Sequence, residues 1–579
     1  MAYPDDPLFP RLLDMLEAVA ARQPDAPALV HLAHPDDTDP RVVTFGELVR
    51  QIHALASSLR DAGVEPADSV AILSPTTPDT LIAFVAAATV ASAFPVNPLL
   101  TPQALAQQLS LARSTAVVVH GPDALMPVRD KLLATLQHAN PVRTVVEIDT
   151  ANAAETPWPD TIRQLAWRDL VSGTASVPAT APEPRRVAAL FHTGGTSGNP
   201  KLAELGESAL AAGPQLAAVA CNWLADDRVL SLLPHFHVGG TLCIGLAALS
   251  VGASVYSCGV LGGRDPALIE NLWEICYQHR ITLPTMVPTS WSAVLDTATG
   301  PAPPSLRGVM TGGAAAPVDV VQRVERYTFL PMSQVFGMTE LSGICTAQPV
   351  DGTFRPHAVG YAPAGMELEL EPVGNGLSEV KLKGPNMFLG YRTAEGRVGE
   401  LGEWLRSGDL GMYDEEGQLC LLGRSKDVII RSGHNIDPLT IEEPAYAHPG
   451  VAEAVAVGFP DAYAGDVPVL FVVPAGDDDL SGLEELLAET ILEPPARPKR
   501  IIPIDALPLT PVGKVERYKL RQRAAEICTE ELLEDMRPAS IACSDPAARA
   551  ITLEWADGTD DAAKAEASKR LQQVGLHLV

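Results

Sequence analysis

Within eleven residues, Phe191-His192-Thr193-Gly194-Gly195-Thr196-Ser197-Gly198-Asn199-Pro200-Lys201 gathers three glycines, three hydroxyl side chains and one lysine. The apolar run at residues 187–191 leads into it. That order reads as a strand entering a donor-rich turn. Glycines let backbone N–H groups come close to a phosphate, hydroxyls add donors, and the lysine adds positive charge. A polyphosphate is the natural ligand, which points to a nucleotide-using enzyme. Two other glycine-rich loops are excluded. A Walker A loop ends in Gly-Lys-Ser/Thr, whereas Lys201 lies between Pro200 and Leu202. A nucleophile elbow reads Gly-x-Ser-x-Gly, whereas Ser197 is followed directly by Gly198. An ordinary surface loop could share this composition, so the decision rests on the rest of the chain.

Four further motifs follow. Gln334-Val335-Phe336-Gly337-Met338-Thr339-Glu340 sets a hydroxyl beside a carboxylate after an apolar strand. That pair suits a phosphate and a hard cation such as Mg²⁺, which prefers oxygen ligands. Ser407-Gly408-Asp409 holds one acid at a turn, where it can accept two ribose hydroxyls. Gly423-Arg424-Ser425-Lys426-Asp427 is a charged turn between apolar strands. Pro508-Leu509-Thr510-Pro511-Val512-Gly513-Lys514 presents a second isolated lysine.

In this order, over roughly residues 10 to 525, the motifs resemble the adenylate-forming superfamily of acyl-CoA synthetases, peptide-synthetase adenylation domains and luciferases. Gly384-Pro385-Asn386 and Ser432-Gly433-His434-Asn435-Ile436-Asp437-Pro438 resemble its bacterial fatty- or aromatic-acid CoA ligase branch. The resemblance implies two steps. A carboxylate attacks the α-phosphate of Mg·ATP, giving acyl-adenylate and pyrophosphate. The thiol of coenzyme A then attacks the carbonyl and expels AMP. Because the first step joins two anions, positioning and charge neutralisation must carry it.

The resemblance also implies roles. Thr193, Gly194, Gly195, Thr196, Ser197 and Gly198 cradle the β- and γ-phosphates, with Lys201 as counter-charge. Thr339 binds the α-phosphate and Glu340 helps hold Mg²⁺. Phe336 lies against adenine, where the family usually has tyrosine, and Gly313, Ala314 and Ala315 form the opposite wall. Asp409 and Arg424 bind the ribose. Lys514 bridges the acid carboxylate and the phosphates, and His237 stands beside the acyl carboxylate. Lys426 is the hinge about which the small domain turns, and Gly433 then lines the pantetheine tunnel. Amino-acid-activating relatives usually carry an Asp in the segment Leu233-Pro234-His235-Phe236-His237, and none is present here. The substrate is therefore expected to lack an α-amino group. Small residues at Gly239-Gly240, Gly312-Gly313 and Ser342-Gly343 suggest room for a medium, long or ring-bearing acid.

One departure stands out. After Lys201, relatives often have a Thr-His pair, but this chain has Glu204 and Glu207. Acids facing ATP would weaken its binding, which keeps a non-catalytic nucleotide-binding homologue as a rival reading. A second rival is an acyl-AMP ligase that loads a separate carrier protein.

Composition sets the wider bounds. The 579 residues exceed one ordinary domain, and 46% are hydrophobic. Seventy-one acids against 42 bases leave a net charge of −29, so nucleic-acid binding through a basic surface is not expected. The eight cysteines form no Cys-x-x-Cys pair and read as separate thiols in a reducing cytoplasm. Asp5-Asp6 stand where a leader would be basic. The apolar stretches 81–96 and 229–260 read as core, the first too short to span a bilayer comfortably. No stable membrane insertion is expected, and a homodimer is compatible with the family.

The elements that must position these residues are those of α/β layers. Residues 70–73, 116–119, 187–191, 229–233 and 254–257 read as strands, and 80–94 and 265–279 as helices. The expected architecture is a large N-terminal domain of layered α/β sheets and helices over 1–423. A mobile α+β C-terminal domain follows over 424–525. Residues 526–579 read as a small extension of strands at 540–543, 550–554 and 576–579 with a helix at 560–573.

Overall fold

The computed structural model describes residues 8–152, 156–177, 181–193, 201–314, 316–352, 355, 358–374, 377–399, 403–432, 434–476, 480–510, 514–545, 549–555 and 561–579. Two large sheets dominate. An eight-stranded sheet has six parallel strands, including Arg228–Ser231, Ser254–Cys258, Leu283–Met286 and Met332–Phe336, flanked by an antiparallel strand at each edge. A nine-stranded sheet carries Ser69–Leu73, Ser92–Pro95, Ser114–His120 and Val187–His192 in parallel. Leu202–Gly206 turns back antiparallel to Val187–His192, and Gly390–Thr393 adds beside it.

Helix Pro78–Val90 explains how the sheets join. After its first turn, where Asp79 pairs with Arg41, its sequence is apolar on nearly every face, and every residue but Thr89 is buried. A helix apolar on every face needs a partner on every face. This one touches strands of both sheets, and one core contains residues from all three. The stretch 81–96 is therefore core. The helix expected over 80–94 ends at Val90, and Ser92–Pro95 is a strand of the nine-stranded sheet. The second apolar stretch holds two strands and the π-helix Gly239–Leu246. No helix among the described residues is long and apolar enough to cross a membrane.

The smaller C-terminal domain begins with Ile429–Arg431. Its sheet pairs the long strands Val451–Asp461 and Gly465–Pro474. Helix Arg517–Leu532 packs on this sheet and on the terminal hairpin Ser540–Asp545/Ala550–Glu554. The division expected at 525/526 falls inside that helix. Ala524, Ala525 and Cys528 share one core with Val469, Ile551 and Leu571. The extension is thus packed into the core of the C-terminal domain.

Phe84 of the buried helix stacks obliquely on Phe191, centroids 5.8 Å apart, at the mouth of the glycine-rich loop. Phe84→Ala is expected to destabilise the protein by about 3–5 kcal/mol, as for other buried aromatics. Chemical denaturation checks this, and a loss under 1 kcal/mol would mean the helix is not the shared support.

Candidate functional site

The chain leaves strand Val187–His192 at Thr193, whose buried Oγ1 has no hydrogen-bond partner among the described residues. Positions Gly194, Gly195, Thr196, Ser197 and Gly198 lie outside the described residues. Lys201, where the chain resumes, holds its Nζ 4.1 Å from the ring centroid of Tyr391. The Tyr391 hydroxyl donates to the Glu340 carboxylate. Burial, then Glu340, pushes the phenol well above its usual range, so it keeps its proton. The ring of Tyr391 thus joins the loop lysine to the acid of the second motif.

That second motif follows strand Met332–Phe336, where Phe336 is buried at the strand end. The turn Thr339–Leu341 ends with Ser342 and Gly343 in the left-handed region, at φ 48° and 101°. A side chain on Gly337 would put Cβ 1.6 Å from the Gly343 carbonyl, so the turn closes only on glycine. Asn386 clamps it, its Nδ2 donating to the carbonyls of Leu341 at 2.7 Å and Ile344 at 3.0 Å. Thr339 and Glu340 are both buried.

Asp409, on strand Leu405–Tyr413, is paired in register with Arg424 of Leu419–Arg424. Its Oδ1 accepts from Arg424 Nε at 3.1 Å, while its buried Oδ2 has no partner among the described residues. Burial raises its pKa, and Arg424 and Lys514 pull it back. Lys514 is held by its neighbours: its N–H donates to Thr510 Oγ1 at 3.0 Å, and Thr510 N–H to its carbonyl at 2.7 Å. Burial, then Arg424, lowers the Lys514 pKa; Asp409 and Glu340 oppose them. Gly313, at φ 85°, faces the arm of this lysine, 3.5 Å from Cε to where a Cβ would stand. Ala314 beside it is exposed, and Ala315 lies outside the described residues.

Lys514 reaches into a mostly apolar pocket that it shares with Leu233, His237, Gly239, Met310 and Gly343. His237 Nδ1 accepts the Gly239 N–H at 3.1 Å. Burial, then the charge of Lys514, pushes this imidazole down to about 3, so it is neutral. An acceptor Nδ1 leaves the proton on Nε2. The pocket therefore offers one ammonium and one imidazole N–H against apolar walls. A carboxylate brought here meets a cation without a competing base.

Lys426 is exposed on the turn after Arg424. Arg521 of helix Arg517–Leu532 donates to the Lys426 carbonyl at 3.3 Å and pairs with Asp427. Gly433 lies outside the described residues.

The two acids after the loop do not face the nucleotide side unpaired. Glu204 is paired with Arg392, at 2.7 Å, and with Arg397. Glu207 accepts from Arg186 at 2.7 Å and from the Glu183 N–H at 2.7 Å. Their charges are used within the fold, and the ground for a non-catalytic homologue falls away.

No group of three or more His, Cys, Asp or Glu among the described residues could hold a metal alone. Mg²⁺ needs no such cage, because it binds through one or two carboxylates, substrate phosphates and water. Glu340 fits that requirement. Sequence reasoning missed Tyr391 as part of the site and left Asn386 without a role. The alternation of Gly390–Thr393, with Tyr391 and Arg392 on opposite faces, is the signal that could have found the first.

The chain resembles known proteins over most of its length. The AMP-binding enzyme family matches residues 16–392, and the AMP-binding enzyme C-terminal domain matches 440–514. The chain is 29% identical over 557 residues to the marinolic acid–CoA ligase of Pseudoalteromonas sp. (strain SANK 73390), covering 92% of this chain and 84% of that one. It is 31% identical over 533 residues to the sulfoacetate–CoA ligase of Cupriavidus necator, covering 89% and 98%. Its fold is similar to that of a benzoate CoA ligase from Burkholderia xenovorans LB400, with TM-score 0.75, 23% identity and coverage of 89% and 100%. On these matches, the chain belongs to the AMP-binding enzyme family, in the acyl-CoA ligase branch of the adenylate-forming superfamily.

Proposed function

We propose that this protein joins a carboxylic acid to coenzyme A, using ATP and passing through an acyl-adenylate. What supports this most is the position of Lys514. It arrives from the C-terminal domain in the pocket beside His237, while Asp409 and Glu340 lie close enough to hold its charge. One cation then faces both partners of the first step, the acid carboxylate and the α-phosphate.

In this reading Lys514 draws the two anions together and offsets charge as it builds on the α-phosphate. The neutral His237 donates Nε2–H to the acid or bounds its carboxylate without removing a proton. The orphan Oδ2 of Asp409 takes a ribose hydroxyl, and Arg424 holds its other oxygen. Thr193 Oγ1 and Lys201 serve the distal phosphates. Glu340, kept in place by Tyr391, would hold Mg²⁺, which would supply neutralisation of phosphate charge. Phe336, Gly313 and Ala314 bound the adenine, and Thr339 faces the α-phosphate. After pyrophosphate leaves, turning about Lys426 withdraws Lys514 and admits the thiol. Residues 1–423 and 424–525 are the bodies that move, and 526–579 travel with the second. The eight unpaired cysteines support a cytoplasmic setting.

Pyrophosphate release from Mg·ATP across a panel of acids, with and without coenzyme A, tests the reading. Acid-dependent release stimulated by coenzyme A, with thioester formed, is expected. Release without thioester would instead favour loading of a carrier protein. No release with any acid would overturn the reading.

Lys514→Ala is expected to slow adenylation about 100- to 1000-fold while still converting supplied acyl-adenylate to thioester. Equal loss in both half-reactions would sink the two-position mechanism. Only the ammonium form works, and burial lowers its pKa, so adenylation should fall with rising pH on a limb below the range of an ordinary lysine. The thioester step should lack that limb; stopped assays of each half-reaction across pH check it. Asp409→Asn removes charge-assisted bonds worth about 1.5–3 kcal/mol, so the KM for ATP should rise about tenfold or more. An unchanged KM would take Asp409 out of the ribose site.

A further inference from the structure

A second cavity adjoins the acid pocket. Its polar lining comprises Ser74, Thr76, His235, Arg264, Thr289 and Ser290. Leu233, Met286 and Val287 line both cavities and form the partition between them. None of the roles assigned above uses it.

The place of the partition follows from topology. Strand Arg228–Ser231 lies between Ser254–Cys258, which follows it in sequence, and Leu283–Met286. From Leu283–Met286 the chain moves to the opposite neighbour, Val309–Gly312. The connections from two adjacent parallel strands thus leave in opposite directions. Ligands in open α/β sheets bind in the crevice at such a switch point, beyond the carboxyl ends of the strands. Leu233 follows one of these strands, and Met286 and Val287 end the other. The acid pocket occupies one side of the crevice and the second cavity the other.

The chemistry of that second side is cationic. Arg264 is exposed at the rim and has no ion pair or side-chain hydrogen bond among the described residues. Helix Pro288–Asp296 begins at the cavity with no side-chain cap, so its positive end is open there. His235 is fully buried, and neither ring nitrogen makes a hydrogen bond of ordinary geometry, the Thr77 backbone being its near polar neighbour. A buried ring with no hydrogen bond of ordinary geometry among the described residues, beside a guanidinium unpaired among them and an uncapped helix start, is arranged for a ligand that brings its own acceptors.

We propose that this cavity receives the far end of the carboxylic acid substrate, and that this end carries a second anionic group, such as a carboxylate. The proposal rests on the acid–CoA ligase reading. The reacting carboxylate lies by Lys514 and His237. The chain of the acid passes the partition, where the unbranched, flexible Met286 gives way most readily. The distal anion then meets Arg264 and the helix start, with His235 donating one bond. Turnover of a dicarboxylate is thereby favoured over that of a monocarboxylate of the same length.

The test uses the full-length protein with matched series of α,ω-dicarboxylates and monocarboxylates, read as acid-dependent pyrophosphate release. At the fitting length the diacid should exceed its monoacid in kcat/KM by about tenfold, the worth of one charge-assisted bond. Arg264→Ala should abolish that ratio through KM for the diacid, with kcat largely kept. Arg264→Glu should move the preference toward acids with a distal ammonium group. Arg264 is exposed, so both variants should unfold at the wild-type temperature. A ratio near one at every length, or one that Arg264→Ala leaves unchanged, overturns the proposal while the ligase stands. No release with either series overturns the ligase reading and this proposal together.

Discussion

The burial of one ammonium group governs this protein. Lys514 is carried by the C-terminal domain into a pocket of the N-terminal domain, where burial and Arg424 both work against its charge. Asp409 and Glu340 oppose them only in part. A buried cation short of anions is a strained arrangement. The missing anions are those that the substrates bring. In the proposed two-position mechanism, closure is favoured by the triphosphate and the acid together, and weakened when pyrophosphate departs. On that reading burial also makes the closed position hold the lysine proton less tightly than a solvated position would, so closure without substrates gains from rising pH although catalysis needs the charge.

Around this cation the negative charges are sorted. Glu340 and Asp409 face it, whereas Glu204 and Glu207 are held elsewhere by arginines. One strand does much of this sorting. In Gly390–Thr393, Tyr391 takes Glu340 on one face and Arg392 takes Glu204 on the other. Gly390, opposite Glu204 in register, leaves the space that Arg397 needs: a Cβ there would lie 3.2 Å from Arg397 Cγ. A chain with net charge −29 can thus present a locally cationic site to anionic substrates.

Local patterns made much of this legible. The strands at 187–191, 254–257 and 550–554 are where their β-branched and apolar runs place them, and the helix after Asp265 starts with that side chain capping Ala267 N–H. Burial on all faces misled the reading of residues 80–94, because an apolar helix and a following buried strand have no change of pattern between them. The pairing of Glu204 with Arg392 joins positions 188 apart in sequence, and no local spacing encodes that. The same holds for Tyr391, whose ring and hydroxyl matter only through two distant residues. The packing of the terminal extension was hidden for another reason. Helix Arg517–Leu532 has neighbours on several sides, so its small buried residues Ala524 and Ala525 carry no clear single stripe.

That helix also ties the C-terminal sheet and the terminal hairpin into one body. It begins three residues after Lys514, and its first residue, Arg517, is pinned by a buried double contact with Glu442 and by the Ala456 carbonyl at 3.0 Å. One turn on, Arg521 holds Asp427 beside the hinge. Gln522 donates to the Cys543 carbonyl at 3.0 Å, and Glu526 accepts the Cys543 N–H at 3.2 Å, so the terminal hairpin is fastened to the same element. In the proposed turning about Lys426 the lysine, the helix and the hairpin travel together, because separating the helix from the sheet or the hairpin would break these part-buried contacts. Arg521–Asp427 is about as sheltered as Arg517–Glu442, with side-chain exposures of 22% and 14% against 21% and 6%. Both of the first two turns of the helix are therefore fastened, and in the proposed mechanism Lys514, the helix and the hairpin move as one piece.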